Sequence, residues 1–276
     1  MVQIGRFNIL SVVKTLDFGI YLDGGKLGEI LMPTRYVPED TEIGDELNAF
    51  IYLDSEDRLI ATTEFPKAQV GEFALLKVVS VNNYGAFLDW GLMKDLLVPY
   101  REQAMTMELG KEYLVYVFLD DETNRIAATA KLDKYLDNIM PEYEEGEEVD
   151  LIIANQTDIG YNAIVNSNHW GLLYANEVFS ELRKGQVITG YVKKLRDDDK
   201  IDLTLYKPGY EKVEGIAGDI LNRLKESTGF LPISDKTDAE IIYLKLGISK
   251  KNFKKAIGSL FKQKLITIED SGIRLV

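Results

Sequence analysis

No cysteine occurs anywhere in the 276 residues. Disulfides, thiolate metal sites and cysteine nucleophiles are therefore excluded. Histidine is nearly as scarce. His169 is the only one, and a lone histidine is more often structural than catalytic. There is no GxxxxGK phosphate loop, no GxSxG elbow and no HExxH pair. The carboxylates are scattered, without the clustering a two-metal nuclease site needs. No apolar run approaches the roughly 18–20 residues that span a bilayer. The opening MVQIGRFNIL lacks the basic start, apolar core and cleavage site of a signal peptide. These absences give the expectation of a cytoplasmic protein with no membrane association, no metal, no cofactor and no catalytic residue.

What the chain has in excess is acid, with a net charge of −13. That opposes nucleic-acid binding, which is driven by Lys and Arg. The distribution is uneven, however. Residues 1–208 hold 20 basic and 36 acidic side chains, whereas residues 209–276 hold 12 and 9. Six lysines and no acid lie between Ile248 and Ile268. The acidic part and the basic tail read as different modules.

An internal repeat organises the acidic part. At an offset of 66 residues, Phe7, Leu10, Val12, Val13, Gly19, Leu22, Asp23 and Gly25 recur as Phe73, Leu76, Val78, Val79, Gly85, Leu88, Asp89 and Gly91. Phe18 falls on Tyr84 and Tyr21 on Phe87. One inserted residue later, RLIATTE from Arg58 meets RIAATAK from Arg125. A third, worn copy starts at Val149, with Ile159 and Asn162 in place of the aromatic pair and GLLYANEV from Gly171 set against EILMPTRY. Each copy reads as short β-branched and aromatic strands between turn residues. Five such strands in roughly 65 residues suit a small OB barrel. The acidic stretch Glu142–Glu148 reads as a solvated linker into the third.

FGIYLD and YGAFLD, with the later Asp…Arg segment, resemble the S1 domain, an RNA-binding OB repeat. The resemblance implies single-stranded RNA as partner. It implies contacts from Phe18, Tyr21, Asp54 and Arg58 in the first repeat and Tyr84, Phe87, Asp120 and Arg125 in the second. Exposed rings can stack bases at roughly 1–3 kcal/mol each. The alternative is that they fill the barrel, because ideal strand positions three apart face opposite ways. A bulge at Gly19 or Gly85 would bring both out. For the Asp and Arg positions the alternative is a strand-end turn or ion pair. The family's frequent histidine near the third strand falls at Met32, Val98 and Tyr174. In the third repeat Arg183, Lys184, Lys193, Lys194, Arg196 and Lys200 are either phosphate contacts or a solvated face, and Tyr161 is placed to compensate for the lost ring pair.

From residue 211 the period becomes helical. GIAGDILNRLKES is an amphipathic helix, and Thr237–Glu240 has capping-box spacing ahead of a helix ending at Gly247. Ser249 can cap a third helix whose apolar face is Phe253, Ala256, Ile257, Leu260 and Phe261. LITIEDSGIRLV reads as two strands. This describes a winged helix with Lys250, Lys251, Lys254 and Lys255 on its third helix, as phosphate contacts or as a solvated face.

The expected fold class is therefore mainly β with a C-terminal α+β domain. The domains are barrels at 1–68, 69–140 and 141–208 and a winged helix at 209–276. The whole order resembles the conserved virulence factor B family of Gram-positive bacteria. That resemblance implies a non-catalytic, RNA-binding, post-transcriptional regulator of gene expression, with RNA-processing or ribosomal proteins as further partners. Protein–protein interaction, a nuclease-accessory role and DNA binding through the winged helix stay open as alternatives.

Overall fold

The first barrel is built from β1 (Phe7–Leu16), β2 (Gly19–Asp23), β3 (Glu29–Pro33), β4 (Glu46–Leu53) and β5 (Leu59–Thr62). The computed structural model describes residues 1–178, 181–206 and 211–276. The strand order is β1-β2-β3-β5-β4 and the sheet closes on itself, through a single parallel pairing of Leu31 with Ile60. In the second barrel, β6 (Phe73–Asn82), β7 (Gly85–Asp89), β8 (Leu96–Pro99), β9 (Glu112–Leu119) and β10 (Ile126–Thr129) repeat the pattern at the 66-residue offset, with the inserted residue ahead of β10. No hydrogen-bonded pairing joins β8 to β10, so this barrel keeps an open seam. The third, β11 (Glu148–Thr157), β12 (Gly160–Val165), β13 (His169–Tyr174), β14 (Val187–Leu195) and β15 (Ile201–Thr204), is closed. Three parallel pairs join its β13 and β15.

The first hairpin of each barrel turns on one glycine. Gly19, Gly85 and Gly160 have φ of +155°, +153° and +155°. A Cβ there would lie 2.3, 2.2 and 1.9 Å from the carbonyl oxygens of Met32, Val98 and Leu173. Only glycine fits. The bulge expected at Gly19 or Gly85 lies instead on the facing strand, where the register slips between Val12 and Lys14, Val78 and Ser80, and Ile153 and Asn155. At that point β1 exchanges its partner β4 for β2. The extra residue supplies the bend that this change of partner needs.

Residues Met1–Tyr135 and Leu136–Val276 form two compact units. Within the first, β4 serves both barrels by strand alternation. Ala49 and Ile51 point into the first barrel, while Phe50 and Tyr52 join the buried cluster of the second. Phe50 meets Trp90 edge-on at 5.8 Å. Ala68, at the expected boundary between the barrels, is buried in that cluster. The expected boundary at 208/209 lies outside the described residues.

Within the second unit, the third barrel and the C-terminal module have separate buried clusters. The acidic stretch after Pro141 is anchored rather than free. Tyr143 packs against the barrel core, and Gly146 N donates to Val192 O at 2.7 Å. The C-terminal module comprises α1 (Glu211–Glu226), β16 (Phe230–Leu231), α2 (Ala239–Leu246), α3 (Lys250–Lys262), β17 (Ile266–Glu269) and β18 (Gly272–Leu275). Its sheet order is β16-β18-β17, a winged helix. Ser249 caps α3 by accepting from Asn252 N, and Gly247, at φ 70°, ends α2.

Two expectations fail here. The capping box does not form. Asp238, not Thr237, is the N-cap of α2, without a side-chain bond, and the Thr237 hydroxyl accepts from Ser234 N at 2.8 Å instead. Phe261 is 54% exposed. Eight residues on from Phe253 it stands roughly 80° round the helix, at the edge of the buried stripe.

Candidate nucleic-acid interface

In the second barrel the turn before β7 holds Tyr84, whose amide donates to Asn82 Oδ1 at 2.8 Å. Tyr84 is 75% exposed. Ala86 and Leu88 take the barrel interior, so alternation turns the half-buried Phe87 outward. Tyr84 reaches the same face because it precedes Gly85, whose positive φ breaks the alternation. In the first barrel Phe18 is exposed and meets Tyr21 edge-on at 6.4 Å. No ring of either pair belongs to a buried cluster. The two sites differ in access, however, because Lys14 Nζ lies over the Tyr21 ring at 5.2 Å.

Tyr84 and Phe87 open onto a groove of about 610 Å³ that also contains Lys94, Arg101, Arg125 and, from the first barrel, Asp57. The two expected Asp–Arg pairs are not alike. Asp54 caps its own turn, accepting from Glu56 N at 2.9 Å and Arg58 N at 3.0 Å. Its Oδ2 takes Arg58 Nε and Nη2 at 2.9 and 2.8 Å. That is the turn and ion pair of the alternative reading, although the Arg58 side chain stays 68% exposed. Asp120 also caps its turn, accepting from Thr123 N at 2.9 Å, but its second oxygen takes Arg101 at 3.0 Å. Arg125, displaced by the inserted residue, pairs with Asp57. Lys94 Nζ reaches the same Asp57 carboxylate at 3.3 Å and Asp54 O at 2.5 Å. Desolvation raises the Asp57 carboxyl pKa, but the hydrogen bonds from Lys94 and Arg125 outweigh it and hold the group below the ordinary range.

Lys94 and Arg101 escaped the reading of the sequence. A signal for Arg101 was present, since Arg35 occupies the same place in the first repeat, where it lies over the Tyr36 ring at 4.6 Å. Lys94 has only Gly28 at its counterpart.

The third barrel corrects two expectations. Tyr161 is buried in the barrel core and offers no ring to a ligand. Tyr174 is not the counterpart of Met32 and Val98. It pairs with Gly160, as Pro33 pairs with Gly19 and Pro99 with Gly85. Lys193 is bound to Glu177 at 2.7 Å and sits over Tyr174 at 5.4 Å. Arg196 and Lys200 both pair with Asp198, at 3.2 and 3.0 Å. Lys194, Arg183 and Lys184 are exposed. His169 is buried, its ring nitrogens 2.9 Å from the Tyr143 hydroxyl and 2.9 Å from Ile139 O. It fastens the lead-in segment to the barrel.

On α3, Lys251, Lys254 and Lys255 are exposed and Lys250 is half-buried. Lys254 has a distant acid, Asp235, at 3.9 Å. The first turn of α3 carries no acidic residue. Lysines there face the positive end of the helix dipole, which costs about 0.3–1 kcal/mol each.

The S1 domain family matches residues 4–64 and 70–131, and the CvfB-like winged helix domain matches residues 218–275. Protein YitL of Bacillus subtilis is 30% identical over 271 residues, covering 94% of this chain and 89% of that protein. Conserved virulence factor B of Staphylococcus epidermidis is 26% identical over 282 residues, covering 99% and 94%. A crystal structure of a multidomain protein with nucleic acid binding domains from Streptococcus pneumoniae aligns over 99% of this chain and 98% of that one, at TM-score 0.45 and 24% identity. Fold and matches together define a protein of tandem S1-type barrels with a C-terminal winged helix. The chain belongs to the conserved virulence factor B family.

Proposed function

We propose that the chain is a non-catalytic single-stranded RNA-binding protein that regulates gene expression after transcription, in the cytoplasm. Bases stack on Tyr84 and Phe87 and on Phe18 and Tyr21, and the lysine face of α3 adds phosphate contacts. The observation that carries this reading is the groove of the second barrel. Two outward rings stand beside three cationic side chains, the combination that non-specific single-strand binders use. The second barrel is also the least acidic of the three, with 7 basic against 10 acidic residues over 70–135.

The test is the double variant Tyr84→Ala, Phe87→Ala, followed by RNA titration and thermal melting. Loss of two stacked bases is expected to weaken single-stranded RNA binding about ten-fold or more, with a normal melting curve. Unchanged affinity on an intact fold would overturn the stacking role. Competition with duplex DNA separates this reading from DNA binding by the winged helix.

A further inference from the structure

Register places Trp170 at a position that the other two barrels give to an acid. In the first barrel Asp23 pairs with Glu29. In the third the same rung is Ile164 with Trp170. In the second, Leu88 pairs with Leu96, so the next residue, Asp95, holds that place. Asp95 lines the groove beside Tyr84 and Phe87. Trp170 lines the corresponding groove of the third barrel, about 620 Å³, together with Ile159, Asn162, Leu172, Arg196, Lys200 and four aspartates. Ile159 and Asn162 stand where the other barrels carry their ring pairs. The hairpin geometry beneath them is kept, with Gly160 at φ +155°. The third barrel has therefore lost the outward ring pair of its first hairpin and gained a ring on the neighbouring strand, lining the same groove.

We infer that the third barrel binds an unpaired nucleobase, stacked on the Trp170 indole in this groove. The inference rests on the single-stranded RNA reading above and adds a site to it. Tryptophan offers a large π-face for any base. Ile159, 60% exposed, supplies an apolar edge, and the Asn162 amide carries both a donor and an acceptor for the base edge. Arg196 and Lys200 are already held by Asp198. The contact is therefore dominated by stacking rather than by phosphate charge.

Tryptophan fluorescence reads this site through the part of the quenching that Trp170→Phe abolishes, because Trp90 lines the groove of the second barrel. The only other tryptophan, Trp90, is 3% exposed and donates to Lys94 O at 2.6 Å. The experiment titrates the full chain with fluorescein-labelled oligo(A) and oligo(U), following both label polarisation and intrinsic emission. The variants Trp170→Phe and Trp170→Ala are run in parallel, with melting curves. Polarisation is expected to rise for all three proteins. Quenching of the intrinsic emission is expected in the parent and lost in Trp170→Phe, which keeps near-parental affinity because phenylalanine stacks. Trp170→Ala is expected to bind about five-fold or more weakly. RNA that binds without quenching the parent overturns the site, and so does parental affinity in a folded Trp170→Ala. If the alanine variant does not fold, the parent and phenylalanine emission decides. Absence of any polarisation change in the parent would instead overturn the RNA reading itself.

Discussion

Asp57 sets the charge that an incoming phosphate meets in the second barrel's groove. It holds Lys94 and Arg125 from the far side of the barrel junction, and both cations are partly exposed. Exposed pairs of this kind contribute about 0–1 kcal/mol, so Asp57→Asn is expected to leave the melting temperature nearly unchanged. It removes one negative charge and frees two positive ones, and RNA affinity is expected to rise about two- to five-fold. A fall in affinity would mean that Asp57 aims Arg125 rather than competing for it. The pairs also have a definite pH range. A carboxyl lowered in the fold contributes stability above its unfolded value, and that contribution is lost as the pH falls through the folded value. They therefore persist at neutral pH and break only in acid. At this scale the ring pairs were legible, because residue type and repeat position agree. The partner of Arg125 was not, because one inserted residue sent it across to another barrel.

Among the elements, α3 carries the clearest conflict between stability and use. Its opening turns hold Lys250, Lys251, Lys254 and Lys255 and no acid. Replacing Lys251, Lys254 and Lys255 by alanine adds the best helix former at three positions and, at Lys251, removes like charge from the positive end of the dipole. The melting temperature is expected to hold or rise. RNA affinity is expected to fall by a similar factor for every sequence, and the slope of log affinity against log salt to flatten by roughly 0.7 per lost phosphate contact. Unaltered affinity and slope would make the face merely solvated. The strands were largely legible through the repeat, but the worn third copy shows how finely register matters. Setting Gly171 against Glu29 is one residue out, since the rungs place Trp170 there. A one-residue slip moves every side chain to the opposite face, which is why Tyr174 looked equivalent to Met32 and Trp170 went unnoticed.

The whole molecule divides more simply than its four modules imply. Exposed Ile139 and Met140 lie beside the division between the two units, whereas the chain near Ala68 is buried and tied by Lys67 N to Trp90 O at 2.7 Å and Val70 N to Gly5 O at 2.9 Å. Limited proteolysis is expected to cut first near residue 140 and to leave residues 1–135 intact for longer. An early cut near 68 would contradict a shared core. The repeat made the number of barrels legible. It did not reveal that β4 packs on two cores, because the outward Phe50 and Tyr52 look like ordinary strand aromatics until a second barrel covers them. The unjoined seam between β8 and β10 carries a last consequence. Leu97 and Pro99 on one side and Ile126 and Ala127 on the other line the same groove as the ring pair, and no ladder spans them. Local opening there breaks fewer bonds than at the closed seams of the other barrels. Deuterium is therefore expected to enter the backbone amides of Leu97 and Ala127 sooner than those of Leu31 or Leu172, and a bound oligonucleotide to slow that uptake before it changes any other part of the chain.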